Sequence, residues 1–434
     1  MDMDIEKRTL RKITWRIVPF IMILYLIAYI DRVNIGFAAI TMKEDLGFTS
    51  SILGFGAGIF FLGYFLFEVP SNIILHKVGA RIWIARVMVT WGIIAGGMAF
   101  VESSTSFYVM RFLLGVAEAG FFPGIILYLS FWFPARNRAG VIALFMAAAP
   151  IATAIGSPIS AALLEMHGIM GLAGWQWMFL IEALPAVILG VVVFFYMTDR
   201  PEKATWLKQD EREWLVKTMQ SENAGKDNQQ HHSILRGLAN PRVLALALVY
   251  FGTSAGLYTL GIWAPQIIKE LGVSSMTVGL LNAIPPIISV VAMILWSRHS
   301  DKTNERTWHV ALACITAAIG LVIAAGTGSV IGLIAALTIV NVGISCSKPP
   351  LWSMPTMFLS GAAAATGIAT INSIGNLGGF AGPAMIGWVK DQTGSFTGGL
   401  YFVAGLLILS TVITLVLSFT QKKDKVSAAE LSNS

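Results

Sequence analysis

Twelve apolar runs, most of them about 20 residues long, dominate this chain of 434 residues, and none alternates apolar with polar side chains. A helix crosses the hydrocarbon core of a bilayer in roughly 20 mostly apolar residues. Hydrocarbon offers no water to an unpaired backbone N–H or C=O, so only helices and closed barrels span it. The missing period-2 alternation excludes a barrel, and each run predicts a helix. Composition agrees. Hydrophobic residues make up 56% of the chain and charged residues 12%, against about 25% charged in a soluble protein. Too little polar surface remains to clothe a water-soluble domain of this size. The expected fold class is therefore an all-α polytopic membrane protein. Its spans fall at about 16–39, 51–75, 82–101, 106–130, 139–164, 177–197, 243–268, 276–297, 307–326, 329–352, 364–388 and 398–419.

The first run contains Asp31-Arg32, is too long for the apolar core of a signal peptide and has no clear cleavage site after it. With the N-terminus placed in the cytoplasm, the inner segments collect 24 of the 30 basic residues. Among them are Lys7, Arg8, Arg11, Lys12 and Arg16, then Lys77, Arg81 and Arg86, and Arg298, Lys302 and Arg306. The outer segments collect only Lys43, Lys269 and Lys390. This asymmetry satisfies the positive-inside rule and puts both termini in the cytoplasm. It also accounts for the formal net charge of +6. Spread over short inner loops, these bases suit anionic lipid rather than nucleic acid.

No enzyme is expected. Cys314 and Cys346 lie inside spans without metal-ligand spacing, and the histidines are scattered, with His231-His232 in a polar linker. No phosphate-binding loop with a Gly-Lys-Ser/Thr end is present, and no nucleophile or metal constellation stands within the spans. No cofactor is called for.

The longest polar stretch divides the spans six and six. Residues 1–197 are expected to form an N-terminal six-helix bundle, 198–241 a cytoplasmic linker, 242–420 a C-terminal six-helix bundle and 421–434 a cytoplasmic tail. Within the linker, Trp206 to Met219 has the pattern of an interfacial amphipathic helix, with a plain tether as the preferred reading. An internal repeat supports the division. Asn72 to Arg81 follows the second span and Ser297 to Arg306 the eighth, 225 residues later. Pro158 and Pro383 share the same offset. Such repeats mark transporters in which two bundles rock about a central site.

The basic loop after spans two and eight resembles the signature loop of the major facilitator superfamily. Tyr29-Ile-Asp31-Arg32-Val-Asn34-Ile-Gly36-Phe37-Ala38 resembles the first helix of its anion:cation symporter family. So do Glu68-Val-Pro70-Ser-Asn72, Arg111 through Gly115 and Glu118 to Pro123-Gly124, and Trp175-Gln-Trp177. The likeness covers nearly the whole chain. It is nearest to the bacterial tartrate transporters, through Trp352-Ser-Met-Pro355-Thr and Ile371-Asn372-Ser-Ile-Gly375-Asn376-Leu-Gly378-Gly379-Phe380, and next to the 4-hydroxyphenylacetate permeases. The resemblance implies the major facilitator fold and proton-coupled symport of a small organic carboxylate such as tartrate. An aromatic acid, or uniport or exchange on the same fold, is the alternative. There are departures. His76 stands where the superfamily loop has Asp, Asn304 where it has Gly, and Ala147-Ala148-Ala149-Pro150 where sugar-acid relatives carry an amide. The last lowers the support for sugar-acid specificity and fits a compact or partly apolar substrate no worse.

Charges inside the spans carry the site expectations, because each costs about 2.5–3.5 kcal/mol at a helix centre and calls for a partner or a task. Arg111 and Glu118 are two turns apart on one face, with Gly115 between them. Asp31 lies roughly 22 Å from the inner end of its span, beyond the midplane. The functional reading gives Arg32 and Arg111 the substrate carboxylate, since guanidinium matches it with two parallel hydrogen bonds. Asp31 and Glu118 then exchange protons, and protonation releases an Arg to hold the anion. The competing reading is that Asp31/Arg32 and Arg111/Glu118 only neutralise each other and pin helices. The resemblance favours the first.

Further substrate contacts are expected from Tyr29, Asn372, Asn376, Trp352 and Lys348, each also explicable by packing or, for Lys348, by snorkelling to the cytoplasm. Lys348 precedes Pro349-Pro350, where the helix is expected to break. Glu68, with Lys77, Arg81, Asp301 and Lys302, is assigned to gating. Glu182, with Trp175 and Trp177, is placed near the outer interface in a structural role, and Gly156, Pro158, Gly378, Gly382 and Pro383 are read as packing and hinge residues. The partners implied are a small carboxylate, protons and membrane lipid. A monomer in the inner membrane of a bacterium is expected.

Overall fold

A computed structural model describes residues 2–223, 240–359 and 361–432. His231-His232 and much of the expected linker lie outside these residues. Among the described residues there is no strand. The helices are α1 (Asp2–Val33), α2 (Ile35–Asp45), α3 (Ser50–Val78), α4 (Ala80–Gly97), α5 (Ser104–Glu118), α6 (Phe121–Trp132), α7 (Ala135–Met146), α8 (Ala148–Leu164), α9 (Gly174–Tyr196) and α10 (Gln209–Asn223). After residues 224–239 come α11 (Pro241–Lys269), α12 (Ser275–Thr303), α13 (Thr307–Gly326), α14 (Val330–Ser353), α15 (Gly361–Asn376), α16 (Gly378–Thr393) and α17 (Thr397–Ser432). Eleven helical stretches among the described residues are long and apolar enough to cross a membrane. The remaining expected span, 364–388, falls on α15 and α16, which are 16 residues each.

Two compact units divide the chain. The first is Met1–Met42 with Ile59–Gln230, the second Lys43–Gly58 with His231–Ser434. Helix α3 thus gives its start, up to Gly58, to the second unit and the rest to the first.

The helices are inside-out by the standards of water. On α9 the large apolar residues Leu184, Ile188, Val191 and Phe195 are exposed, while Glu182, Ala183, Ala186, Gly190 and Val193 are buried. Both sets recur every three or four residues, so each is one face of the helix. Lipid solvates the large side chains as well as a core would, so close packing of small residues drives helix association. Gly92 of α4 sits over Ala186 and Val187 of α9, and Gly190 of α9 over Met88 and Val89 of α4. In the second unit Gly378 and Gly382 press on the backbone of α11 at Phe251 and Ala255, and Gly156 in the first packs on Ile30. Gly156, Gly378 and Gly382 are packing positions, as read from the sequence, and Gly92 and Gly190 join them.

Proline does not end these helices. Helix α14 runs through Pro349 and Pro350 to Ser353, which corrects the expected break after Lys348. A bundle supplies substitute partners for the freed carbonyls. The carbonyls that Pro349 and Pro350 leave without an N–H donor are those of Ser345 and Cys346, one turn earlier on α14.

The repeated loop takes a positive φ at the same position of each copy. Gly79 and Asn304, 225 residues apart, both take positive φ, +99° and +50°. Asn is the residue other than Gly that tolerates this conformation best, which is why it can replace the Gly of the superfamily pattern. Asn304 caps α12 in the left-handed region. Beside it, His309 Nδ1 lies 2.8 Å from Glu305 Oε2, and His309 Nε2 2.8 Å from His299 Nδ1.

The linker's first part is a docked helix rather than a tether. Glu211 of α10 is fully buried and receives Arg8 Nε and Lys12 Nζ, each at 2.8 Å. Trp206 stacks on Trp132 at 5.4 Å, and the Arg16 guanidinium lies 4.9 Å from the Trp206 ring. Burial alone would raise Glu211, but hydrogen bonds from Lys12, the Lys208 backbone N–H and Arg8 hold its carboxyl below the usual range.

Candidate functional site

The charges expected inside the spans of the first unit are buried. Asp31 and Arg32 end α1, Arg111 and Glu118 lie on α5, Glu68 on α3 and Glu182 on α9. Arg32 pairs with Glu118, and the two side chains are 8% and 1% exposed. The Arg32 guanidinium also stands 5.5 Å from the rings of Phe60 and Tyr64. Arg111 faces the same Phe60 ring at 5.1 Å. Each such cation–π contact contributes about 2 kcal/mol when desolvated. The pairing differs from the one the shared face of α5 suggested. Glu118 turns to Arg32 on α1, because Gly115 lets the α3 backbone at Phe60 come so near that an added Cβ would collide with the Phe60 carbonyl. The space that Gly115 leaves is filled by α3, which carries the aromatic platform for both guanidiniums.

Glu118 is the last residue of α5. The expected fourth span is broken there: Gly120 takes φ +87° and α6 starts at Phe121. The signal was legible as a Gly followed closely by Pro123, the usual end-and-restart pattern of helices. The freed Ala119 carbonyl accepts from the Ser71 hydroxyl at 2.6 Å, and that hydroxyl accepts from Trp83 Nε1 at 2.9 Å. A carboxylate at a helix C-terminus meets the negative end of the helix dipole. Arg32 offsets that repulsion, so the Glu118 charge depends on its partner.

Asp31 does not pair with Arg32. Its Oδ2 accepts from Trp91 Nε1 at 2.6 Å. Asn34, in the turn between α1 and α2, donates from Nδ2 to Glu182 Oε2 at 3.0 Å, and the Ser160 hydroxyl donates to Glu182 Oε1 at 2.6 Å. Glu182 is thus buried two turns into α9, not set at a surface. Sequence reading passed over Asn34, Trp91 and Ser160. Tyr29 is buried, its ring 6.2 Å from that of Tyr25. Glu68 is buried, and its backbone carbonyl accepts from Asn72. Lys77 is exposed. Arg81 reaches Asp199, whose Oδ1 accepts the Arg81 backbone N–H at 2.9 Å.

In the second unit Trp352 meets Tyr250 edge-on at 4.9 Å. Gly375 of α15 lies against the Tyr250 ring. Asn372, one turn before Gly375, is buried, while Asn376 ends α15 half-buried. Lys348 is half-buried on α14. Asp301 and Lys302 are exposed, and Asp301 pairs with Arg306 at 2.7 Å. Among the described residues no cluster could hold a metal ion.

A family model described as Major Facilitator Superfamily matches residues 21–383. The chain belongs to the Major Facilitator Superfamily. A protein of Agrobacterium vitis named "Putative tartrate transporter" is 74% identical over 420 residues, 97% of either chain. A "Quinolone resistance transporter" of Acinetobacter baumannii is 40% identical over 430 residues, 99% of either chain. The crystal structure of a bacterial homolog of the human lysosomal transporter Spinster superposes with a TM-score of 0.78 at 14% identity, covering 94% of this chain and 97% of that one. The superfamily fold, twelve helices in two bundles, accounts for the eleven apolar stretches and for the span made by α15 and α16. As a superfamily member the chain is a multi-pass membrane transporter of a small molecule, not an enzyme.

Proposed function

We propose that the chain is a proton-coupled symporter that imports a small organic carboxylate, tartrate first, across the inner membrane of a bacterium by alternating access, with both termini in the cytoplasm. The observation that carries this reading is the buried Arg32–Glu118 pair on its Phe60 and Tyr64 platform. A guanidinium already matched to a carboxylate is a carboxylate site occupied by the protein's own acid. Protonation of Glu118 removes that competitor and leaves Arg32 for the substrate, with Arg111 on the other contact of Phe60 as the second guanidinium. Proton binding and anion binding are then the same event seen from two sides.

Charge counting supports proton uptake. Among the described residues of the first unit, the spans bury four acids (Asp31, Glu68, Glu118 and Glu182) and two bases (Arg32 and Arg111). Ionised carboxylates in excess of cations are costly in a bilayer. Protons are the simplest compensation, and Asp31 and Glu118 are the assigned exchangers. Tyr29 in the first unit, and Asn372, Asn376, Trp352 and Lys348 in the second, are the candidate contacts for the rest of the substrate. Glu68, Lys77, Arg81, Asp301 and Lys302 serve gating. Tartrate is chosen because the relative at 74% identity carries that name. An aromatic acid such as 4-hydroxyphenylacetate is the second reading. The Trp352–Tyr250 pair and the apolar Ala147-Ala148-Ala149-Pro150 favour it.

Uptake of radiolabelled tartrate into proteoliposomes under an inward proton gradient tests both parts. Accumulation that collapses with the gradient, and is lost in Glu118→Gln, is expected. Uptake indifferent to the gradient would leave a uniporter or exchanger. Uptake of 4-hydroxyphenylacetate in place of tartrate would keep the coupling and change the substrate. Two protons with a dianion move no net charge. Two with a monoanion move one, worth about 2.3 kcal/mol per 100 mV.

A further inference from the structure

We propose that Glu182 is a further proton-binding carboxyl of the transport cycle, which together with Asp31 carries one proton on two buried acids. The proposal rests on the symport reading above and adds to it a site on α9.

Glu182 is 7% exposed and lies ~12 Å along α9 from its start. Among the described residues its hydrogen bonds come from neutral groups, Ser160 Oγ and Asn34 Nδ2. Asp31, 3% exposed, has one neutral donor, Trp91 Nε1, and stands one turn before Asn34, the residue bonded to Glu182, so the two buried carboxyls share one neighbourhood. Among the described residues, the elements packed most on α9 hold their cations elsewhere. On α1 the adjacent charge is Arg32, which is engaged with Glu118 of α5. On α4 the charged residues are Arg81, which reaches Asp199, and Arg86, which is exposed with its guanidinium 4.0 Å from the Trp83 ring. Helix α8 has no titratable residue, and Glu165 follows its last residue. Met98–Phe100, which also touches α9, has none.

The hydrogen-bond inventory of this cluster is one-sided. Asp31, Asn34 and Glu182 present five side-chain oxygens. Trp91, Ser160 and the Asn34 amide supply donors to three of them. Asp31 Oδ1 and Asn34 Oδ1 are buried and receive none from the described residues. A buried acceptor without a donor is costly, and a buried carboxylate more so. A proton on either acid removes one charge and adds the missing kind of group, an O–H donor. Asn34 sits in the turn between α1 and α2, two residues from Arg32, so a change of charge at Glu182 reaches the substrate-binding Arg through three residues of one chain segment.

Infrared difference spectroscopy of the purified protein, between mildly alkaline and mildly acidic pH, tests the site directly. The expected result is a protonated-carboxyl C=O band that Glu182→Gln deletes. Ser160→Ala, which removes only a hydrogen bond to that carboxyl, is expected to shift the band without deleting it, and serves if the Gln variant fails to fold. A spectrum unchanged by both substitutions would overturn the proposal. The second readout is the number of protons moved per substrate in proteoliposomes, expected to fall in Glu182→Gln while substrate still binds. A deleted band with an unchanged proton count would also overturn it, because Glu182 would then titrate outside the cycle. Failure of the symport reading itself looks different: wild-type uptake would ignore the gradient whatever the infrared band does.

Discussion

Glu118→Gln is the most informative single substitution, because it keeps the shape of the side chain and removes only its charge. Arg32 and Glu118 are 8% and 1% exposed, so water cannot take over from the missing carboxylate. Breaking a buried pair by removing one partner costs about 3–5 kcal/mol. That cost is the strain an anionic substrate can relieve, by becoming the new partner of Arg32. In the wild-type protein at alkaline pH the substrate must instead displace an ionised Glu118. Taking the lower figure of about 3 kcal/mol, and about 1.4 kcal/mol per tenfold, the two situations differ by roughly a hundredfold in affinity. The assay is calorimetric titration of tartrate into detergent-purified protein at neutral and mildly alkaline pH. The variant is expected to bind at least about tenfold tighter than wild type at the higher pH, and to lose most of the pH dependence between the two. It is also expected to keep counterflow exchange while losing gradient-driven accumulation. A folded variant that binds tartrate more weakly than wild type, with the wild-type pH profile intact, would refute the idea that Glu118 competes with substrate for Arg32.

Gly115→Ala places a Cβ against the Phe60 carbonyl, a backbone atom that cannot step aside. A loss of about 1–3 kcal/mol is expected from overpacking, with uptake falling because Phe60 leaves both guanidiniums, and an unchanged melting temperature and uptake rate would count against it. Glu211→Gln is expected to free α10, read as faster amide hydrogen exchange over residues 209–223, and undiminished protection there would show that the helix is held by other contacts. The same docking should depend on pH with a fixed sign. The folded Glu211 carboxyl is depressed, so its contribution is complete above the unfolded value of about 4.3 and is lost as pH falls through the lower folded value. Asn304→Val forces a β-branched residue into φ +50° and is expected to cost about 1–2 kcal/mol, while Asn304→Gly leaves the melting temperature nearly unchanged. Equal effects of the two would mean that the left-handed cap is not what selects Asn there.

Much of this was legible in the sequence, and for a definite reason. Lipid imposes one secondary structure and one length, so apolar runs translate directly into spans. A charge in such a run is expensive enough to announce itself, and Asp31, Arg32, Arg111 and Glu118 were all found that way and are all buried. The offset of 225 residues likewise aligns Gly79 with Asn304, and both take positive φ. Pairing was not legible. A one-dimensional reading ties Glu118 to Arg111 because they share a face of α5, whereas its partner is Arg32, 86 residues away. Only the crossing of α1, α3 and α5, with Gly115 admitting the Phe60 backbone, decides between the two. Glu182 shows the same limit. Its sequence neighbours Trp175 and Trp177 suggested an interface, and only the approach of Asn34 from the α1–α2 turn and Ser160 from α8 makes it part of a buried polar cluster.

The sequence by itself determined what the solvent dictates: helices, their length, the inward face of small and polar residues, and the list of charges that need a purpose. The tertiary structure decided what depends on distances between helices: which acid sits on which base, where α5 stops and α6 restarts against Ser71, and that α14 passes through two prolines unbroken. Solvent acts on each residue locally and leaves its mark at each position. Partner choice depends on the crossing geometry of several helices at once, and no single stretch of sequence carries it.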